Sequence, residues 1–79
     1  MRIEGVDYEV LIATDVEQDS MQWECYLANG TDRQLLLEVV RLDGSKEWVF
    51  IQHAPALPLA LVEYTVAHAK KELGPFFEG

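Results

Sequence analysis

Residues 6–13 alternate, with Val6, Tyr8, Val10 and Ile12 on one side and Asp7, Glu9, Leu11 and Ala13 on the other. A period of two marks a strand with one buried face, so a first strand is expected here. Thr14 to Ser20 is polar and acidic, after which Met21, Trp23, Cys25 and Leu27 alternate with Gln22, Glu24 and Tyr26 in a second strand. Asn29-Gly30 tolerates positive φ and reads as a turn. Gln34 to Leu42 is rich in strand formers and gives a third strand. Asp43-Gly44 is the strongest hairpin signal in the chain, and Lys46 to His53 returns as a fourth strand.

Pro55 and Pro58 stop the sheet, because proline cannot donate to a ladder. Pro58 suits the first helical turn, and Leu59, Val62, Val66, Ala69 and Leu73 follow at spacings of three and four, which predicts a helix with one apolar stripe. Gly74-Pro75 ends it, with Lys70 and Lys71 in the last turn where the helix dipole favours positive charge. Its N-cap is poor, since neither Ala56 nor Leu57 has a capping oxygen. The expected fold is α+β: a four-stranded antiparallel β-meander with one C-terminal helix packed on one face (ββββα), forming a single domain over residues 1–79.

Register refines this picture. A tight turn at Asp43-Gly44 pairs Val39 with Trp48 and Leu37 with Phe50, and a loop two residues longer leaves the same side chains on the same face. The expected inner face therefore holds Leu35, Leu37, Val39, Phe50 and a central Trp48. For Met21, Trp23, Cys25 and Leu27 to join that face, the connection through Asn29-Gly30 must contain three or five residues, which argues against a two-residue turn.

The other face carries five carboxylates (Asp7, Glu9, Glu24, Glu38 and Glu47) with apolar Leu11, Leu36, Val40, Val49 and Ile51, and no Lys or Arg. One helix cannot cover both faces of a sheet. The candidate partner-binding face accordingly comprises Glu9, Leu11, Glu24, Tyr26, Leu36, Glu38, Val40, Glu47, Val49 and Ile51. Two covers suggest themselves: a second copy of the chain, or the C-terminal tail placing Phe76 and Phe77 on the apolar stripe.

The chain has 79 residues, 14 acidic and 6 basic, for a net charge of −8. Residues 1–32 hold eight acids against Arg2 alone (1 − 8 = −7), leaving −1 for the remainder. Nucleic-acid binding depends on Lys and Arg neutralising phosphates, so this balance argues against direct DNA or RNA binding and against an anionic membrane surface. No apolar run approaches the ~20 residues of a bilayer span. The single cysteine excludes an internal disulfide framework and favours a reducing compartment, and the expected location is cytoplasmic.

Candidate chemistry is sparse. Asp15, Glu17 and Asp19 alternate as in the opening of a calcium loop, but Ser20 stands where the motif needs glycine and Tyr26 where it needs glutamate. Cys25 with His53 or His68 could form a nucleophile and base, yet Cys25 lies in an alternating apolar set beside Glu24, the opposite of the electropositive setting that activates a thiol. His53 reads as a surface residue, and His68 as one member of a helical pair with Glu72. Phosphate loops, dinucleotide fingerprints and nucleophile elbows are absent from the sequence.

No enzyme activity, catalytic residue, metal or cofactor is expected. The leading functional expectation is a small acidic protein-interaction module, whose partner is another protein or a second copy. The alternative is an acidic inhibitor or immunity-type protein that mimics DNA and blocks a basic nucleic-acid-binding protein.

Overall fold

Six elements follow one another along the chain: β1 (Arg2–Ile3), β2 (Val6–Asp15), β3 (Ser20–Asn29), β4 (Asp32–Leu42), β5 (Glu47–Gln52) and α1 (Leu59–Leu73). The computed structural model describes residues 1–29 and 31–78. The strands form one antiparallel sheet in the order β1-β2-β3-β4-β5, and α1 packs on one face across β3 and β4. The α+β class and the C-terminal helix are as expected, but the sheet has five strands rather than four. The additional β1 pairs Arg2 with Asp7 and Ile3 with Val6. Glu4 and Gly5 turn the corner at φ 49° and 81°, the twist that suits a two-residue hairpin. Two residues are too few to show any periodicity.

The connection between β3 and β4 departs from expectation in an instructive way. Asn29 stands opposite Asp32, so two residues join the strands and not three or five. Gly30, expected to tolerate positive φ here, lies outside the described residues. The parity is restored inside β4. Pairing runs Trp23↔Val39 and Cys25↔Leu37, then shifts to Tyr26↔Leu35 and Leu27↔Gln34, leaving Leu36 as one extra residue. This is a β-bulge, and an even turn plus one extra residue has the parity of an odd turn.

Three corrections follow from this connection and its bulge. Leu36, expected on the outer face, joins Leu37 in the core at 6% and 0% exposure. Leu35, expected inside, sits opposite Tyr26 on the outer side. Arg33 lies opposite Ala28 and brings a cation to a face expected to have none.

The β4–β5 hairpin closes at Leu42↔Glu47 through a four-residue loop, with Lys46 at φ 59°. Val39 therefore meets Phe50, and Arg41 meets Trp48, two residues from the tight-turn register. The faces are unchanged, as the parity argument requires. The inner face packs Tyr8, Trp23, Cys25, Leu37 and Val39 beneath the helix. Trp48 faces the same way but lies on edge strand β5 and is only half-buried. The central tryptophan is Trp23, 5% exposed.

Pro58 precedes α1 at φ −58° and ψ 134° with no side-chain cap, and its carbonyl accepts from the N–H groups of Leu61 and Val62. The helix presents Leu61, Thr65, Ala69 and Leu73 to the sheet, not the predicted line through Leu59, Val62 and Val66. Leu59 is 70% and Val66 40% exposed. Two neighbouring stripes of α1 are apolar enough to be buried, and the one with small Thr65 and Ala69 at its middle lets the helix approach the sheet closely.

A buried arginine fastens this arrangement. Arg41, inward-facing and 6% exposed, donates from Nη1 to the carbonyl of Leu73, the last residue of α1. Its Nε and Nη2 donate to the two carboxylate oxygens of Asp43 at 2.8 and 3.1 Å. Asp43 Oδ1 also accepts from the Phe77 N–H at 2.9 Å. One ion pair thus joins β4, the helix end and the tail. The tail continues along the hairpin end: Phe76 lies against Trp48 at 5.6 Å between ring centres, and Lys46 Nζ donates to the Phe77 carbonyl at 3.1 Å. Phe76 and Phe77 therefore do not cover the outer apolar stripe, contrary to the second of the two covers suggested by the sequence.

Truncation of Leu36 to alanine should cost about 2–5 kcal/mol, a large share of the roughly 4–12 kcal/mol expected for a chain of this length. Leu36→Asp should abolish the cooperative urea transition in far-UV circular dichroism. Leu11→Asp, on a side chain 40% exposed, should leave the transition near that of the parent. Equal responses would place Leu36 outside the core.

The hydrogen bonds from Arg41, then that from the Phe77 N–H, hold the Asp43 carboxyl below its ordinary 3.8. A folded value below the unfolded one contributes stability at pH above the unfolded value, which is lost as pH falls through the folded one. The advantage of the parent over Asp43→Asn should therefore be constant near neutrality and shrink below about pH 4. A difference independent of pH would show that the carboxylate charge plays no part.

Candidate functional site

The face opposite α1 is built in rows across the strands. One row runs Glu9, Tyr26, Leu35; the next Leu11, Glu24, Glu38, Ile51; the third Ala13, Gln22, Val40, Val49; the last Asp15, Ser20, Leu42, Glu47. Nine of the ten candidate residues share this face, and Leu36 alone leaves it for the core. Leu11 and Ile51 are 40% and 38% exposed, whereas Val40, on a central strand and crowded by its neighbours, is buried. Val49 is half-buried and Glu47 exposed at the strand end.

Glu24 and Glu38 stand directly opposite each other in the middle of the second row. Like charges so placed repel, and each acid has found a partial remedy. The Tyr26 hydroxyl donates to Glu24 Oε1 at 3.1 Å. Burial, followed by that hydrogen bond and the Glu24 charge, raises the Tyr26 hydroxyl above its ordinary range. Glu38, only 13% exposed, lies 2.7 Å from His53 Nε2. At the margin Arg33 pairs with Glu9 at 3.5 Å and lies over the Tyr26 ring at 5.3 Å. The result is a carboxylate pair flanked along its row by apolar Leu11 and Ile51, a shape complementary to a cation with apolar neighbours.

Alternation alone hides Arg33 and Leu35, because both lie between the two-residue connection and the bulge. The visible signal is the run Leu35-Leu36-Leu37, where the period of two breaks.

The groups considered for catalysis are dispersed. Cys25 is fully buried, and burial pushes its thiol up to about 11. His53 is engaged with Glu38. His68 bonds through Nδ1 to the Tyr64 carbonyl at 2.8 Å and stacks on the Tyr64 ring at 3.7 Å, in place of the expected pair with Glu72. In the acidic loop, Asp15 Oδ1 accepts from the N–H groups of Glu17 and Gln18 and so closes the turn. Among the described residues no group of three or more His, Cys, Asp or Glu is placed to hold a metal ion. A cleft of about 300 Å³ lies between this loop and the tail, lined in part by Met21, Arg41, Asp43 and Phe77. Of the four charged residues that line it, Asp15, Asp19, Arg41 and Asp43, the last two are paired with each other.

Cys25 should react slowly with a disulfide reagent at neutral pH in native buffer and rapidly in denaturant, since only the thiolate attacks. Fast native labelling would require an open path to the inner face.

No helix among the described residues is long and apolar enough to cross a membrane. No family model matches the chain, and no curated protein or solved structure is significantly similar to it.

Proposed function

We propose that this chain is a small, acidic, non-catalytic protein-interaction module whose outer sheet face receives a segment of a partner protein presenting a basic side chain between apolar ones. The observation that carries this reading is the row Leu11, Glu24, Glu38, Ile51. A pair of opposed carboxylates lowers the stability of the free sheet by about 0.2–1 kcal/mol. Such a cost is expected where a surface is kept for binding rather than for folding. The absence of catalysis is supported by the burial of Cys25 and by the engagement of both histidines in local contacts. The alternative, a DNA-mimicking inhibitor, draws on net charge alone. Interleaving of acids with apolar side chains favours a protein surface over a phosphate-binding groove.

Glu24→Gln keeps an acceptor for Tyr26 and removes one charge of the pair, so the variant should fold and gain about 0.2–1 kcal/mol in urea titration. Capture of the partner by the tagged protein should fall about tenfold, the value of one charge-assisted contact. Glu17→Gln removes the same charge from an exposed loop and should leave capture unchanged. If both variants weaken capture equally, binding follows net charge and the inhibitor reading takes its place.

A further inference from the structure

We propose that the free edge of β5 is a homodimer interface, at which a second copy pairs antiparallel in a register centred on Phe50 and joins two five-stranded sheets into one. This goes beyond the outer-face reading and uses a different surface.

β5 pairs only with β4, so its other side is an open edge. The His53 N–H donates to the Leu36 carbonyl at 2.8 Å, which makes His53 and Leu36 a hydrogen-bonded pair. Hydrogen-bonded and non-bonded pairs alternate along an antiparallel ladder. The N–H and C=O groups of Trp48, Phe50 and Gln52 therefore point away from β4, off the sheet. The strand, Glu47-Trp48-Val49-Phe50-Ile51-Gln52, holds no proline, no lysine and no bulge, and its one charge, Glu47, stands at its end.

A two-fold axis normal to the sheet maps inner face onto inner face, so residues opposite one another across it must have the same parity. With Phe50 facing the partner's Phe50, Trp48 meets the partner's Gln52 and Val49 meets the partner's Ile51. Every outward backbone group of Trp48, Phe50 and Gln52 then finds a counterpart. On the outer face Val49 and Ile51 make an apolar seam, and Glu47 stands opposite the partner's His53 rather than a second carboxylate.

The inner side supplies a second layer. Lys70 lies over the Trp48 ring at 5.7 Å, which identifies the side of α1 turned toward β5. Val66, Val62 and Leu59 precede Lys70 by four, eight and eleven residues and share that side. Leu59 and Val66 are 70% and 40% exposed, and Phe50 is 42% exposed. These side chains flank the axis in both copies.

Charge selects this edge over the other. Residues 46–62 contain only Lys46 and Glu47 and are neutral, in a chain of net charge −8. At the opposite side of the sheet β1 covers β2 only at Val6 and Asp7, and the open remainder of β2 lies within the segment of charge −7 and carries Glu9 and Asp15. Two copies approach with least repulsion through β5, and the acids on β2 oppose continued edge-to-edge growth.

Sedimentation velocity over about a hundredfold range of concentration should show the parent as an 18 kDa dimer, twice its 9.0 kDa, dissociating on dilution. Phe50→Lys and Val66→Lys should each sediment as monomers with unchanged circular dichroism. Ile12→Lys, 49% exposed toward the β2 edge, and Glu24→Gln on the outer face should remain dimeric. Hydrogen exchange at the Phe50 N–H should be slow in the parent and fast in Val66→Lys. A parent monomeric throughout the range, a dimer that survives Val66→Lys with the Phe50 N–H unprotected, loss of the dimer on Ile12→Lys, or assemblies that keep growing with concentration would each overturn the proposal.

Discussion

Side chains along a regular strand alternate between faces, so the two-residue connection between β3 and β4 would by itself set Trp23 opposite Glu38 and Cys25 opposite Leu36. That pairing would place a carboxylate against the core and expose Val39 and Leu37. One extra residue in β4 prevents it. Leu36 absorbs the mismatch, so that Trp23 and Cys25 meet Val39 and Leu37 and the apolar sets of β3, β4 and β5 share one face. Leu35 and Arg33, between the connection and the bulge, stay on the outer side opposite Tyr26 and Ala28, and Arg33 pairs there with Glu9. Core and candidate binding face are thus set jointly by a two-residue connection and the bulge that corrects its parity. Because Leu36 is itself buried, the bulge is stabilised by the packing it creates.

The helix depends on the sheet at both ends of its contact. Along its middle, Leu61, Thr65 and Ala69 lie close on β3 and β4, while at its C-terminus Arg41 reaches from β4 to the Leu73 carbonyl. A helix leaves its last carbonyls unpaired, and burying one beneath a tail would be costly without a donor. Arg41 supplies that donor and is itself neutralised by Asp43, which in turn holds the Phe77 N–H. The tail is therefore tied to the inner side of the hairpin end. Its attachment there leaves the outer face uncovered by the described part of the tail.

Much of the fold was legible from hydrophobic period. The four long strands, the places though not the lengths of the two connections that flank β4, the helix from Leu59 to Leu73 and the burial of Cys25 follow from alternation, proline and glycine placement, and residue type. What escaped was non-local. A bulge moves a residue between faces without changing composition, and only the leucine run at 35–37 hints at it. The helix offers two apolar stripes, and the choice between them depends on the shape of the sheet, which selects a line containing a threonine over one containing only aliphatic residues. Arg41 has inward parity in the sequence, but a charged residue at such a position is interpretable only once its partners, Asp43 and the helix end, are known. For the outer face the inventory was nearly complete, while the opposition of Glu24 and Glu38 emerged only with register.

The distribution of charge links the outer face to the edge of the sheet. In the proposed β5-edge dimer the two outer faces would become continuous across the Val49 and Ile51 seam, and each copy would contribute one Glu24–Glu38 pair. These carboxylates lie on the second and third strands from the axis, so at about 4.8 Å per strand and ~3.4 Å per residue the two pairs stand about 20 Å apart. A partner bearing two basic segments at that spacing would engage both at once, and linked sites of modest individual affinity bind together far more tightly than either alone. In that dimer the neutral β5 strip would do more than permit association: by bringing together the least charged parts of two acidic chains, it would hold their acid pairs at a separation that neither copy could present by itself.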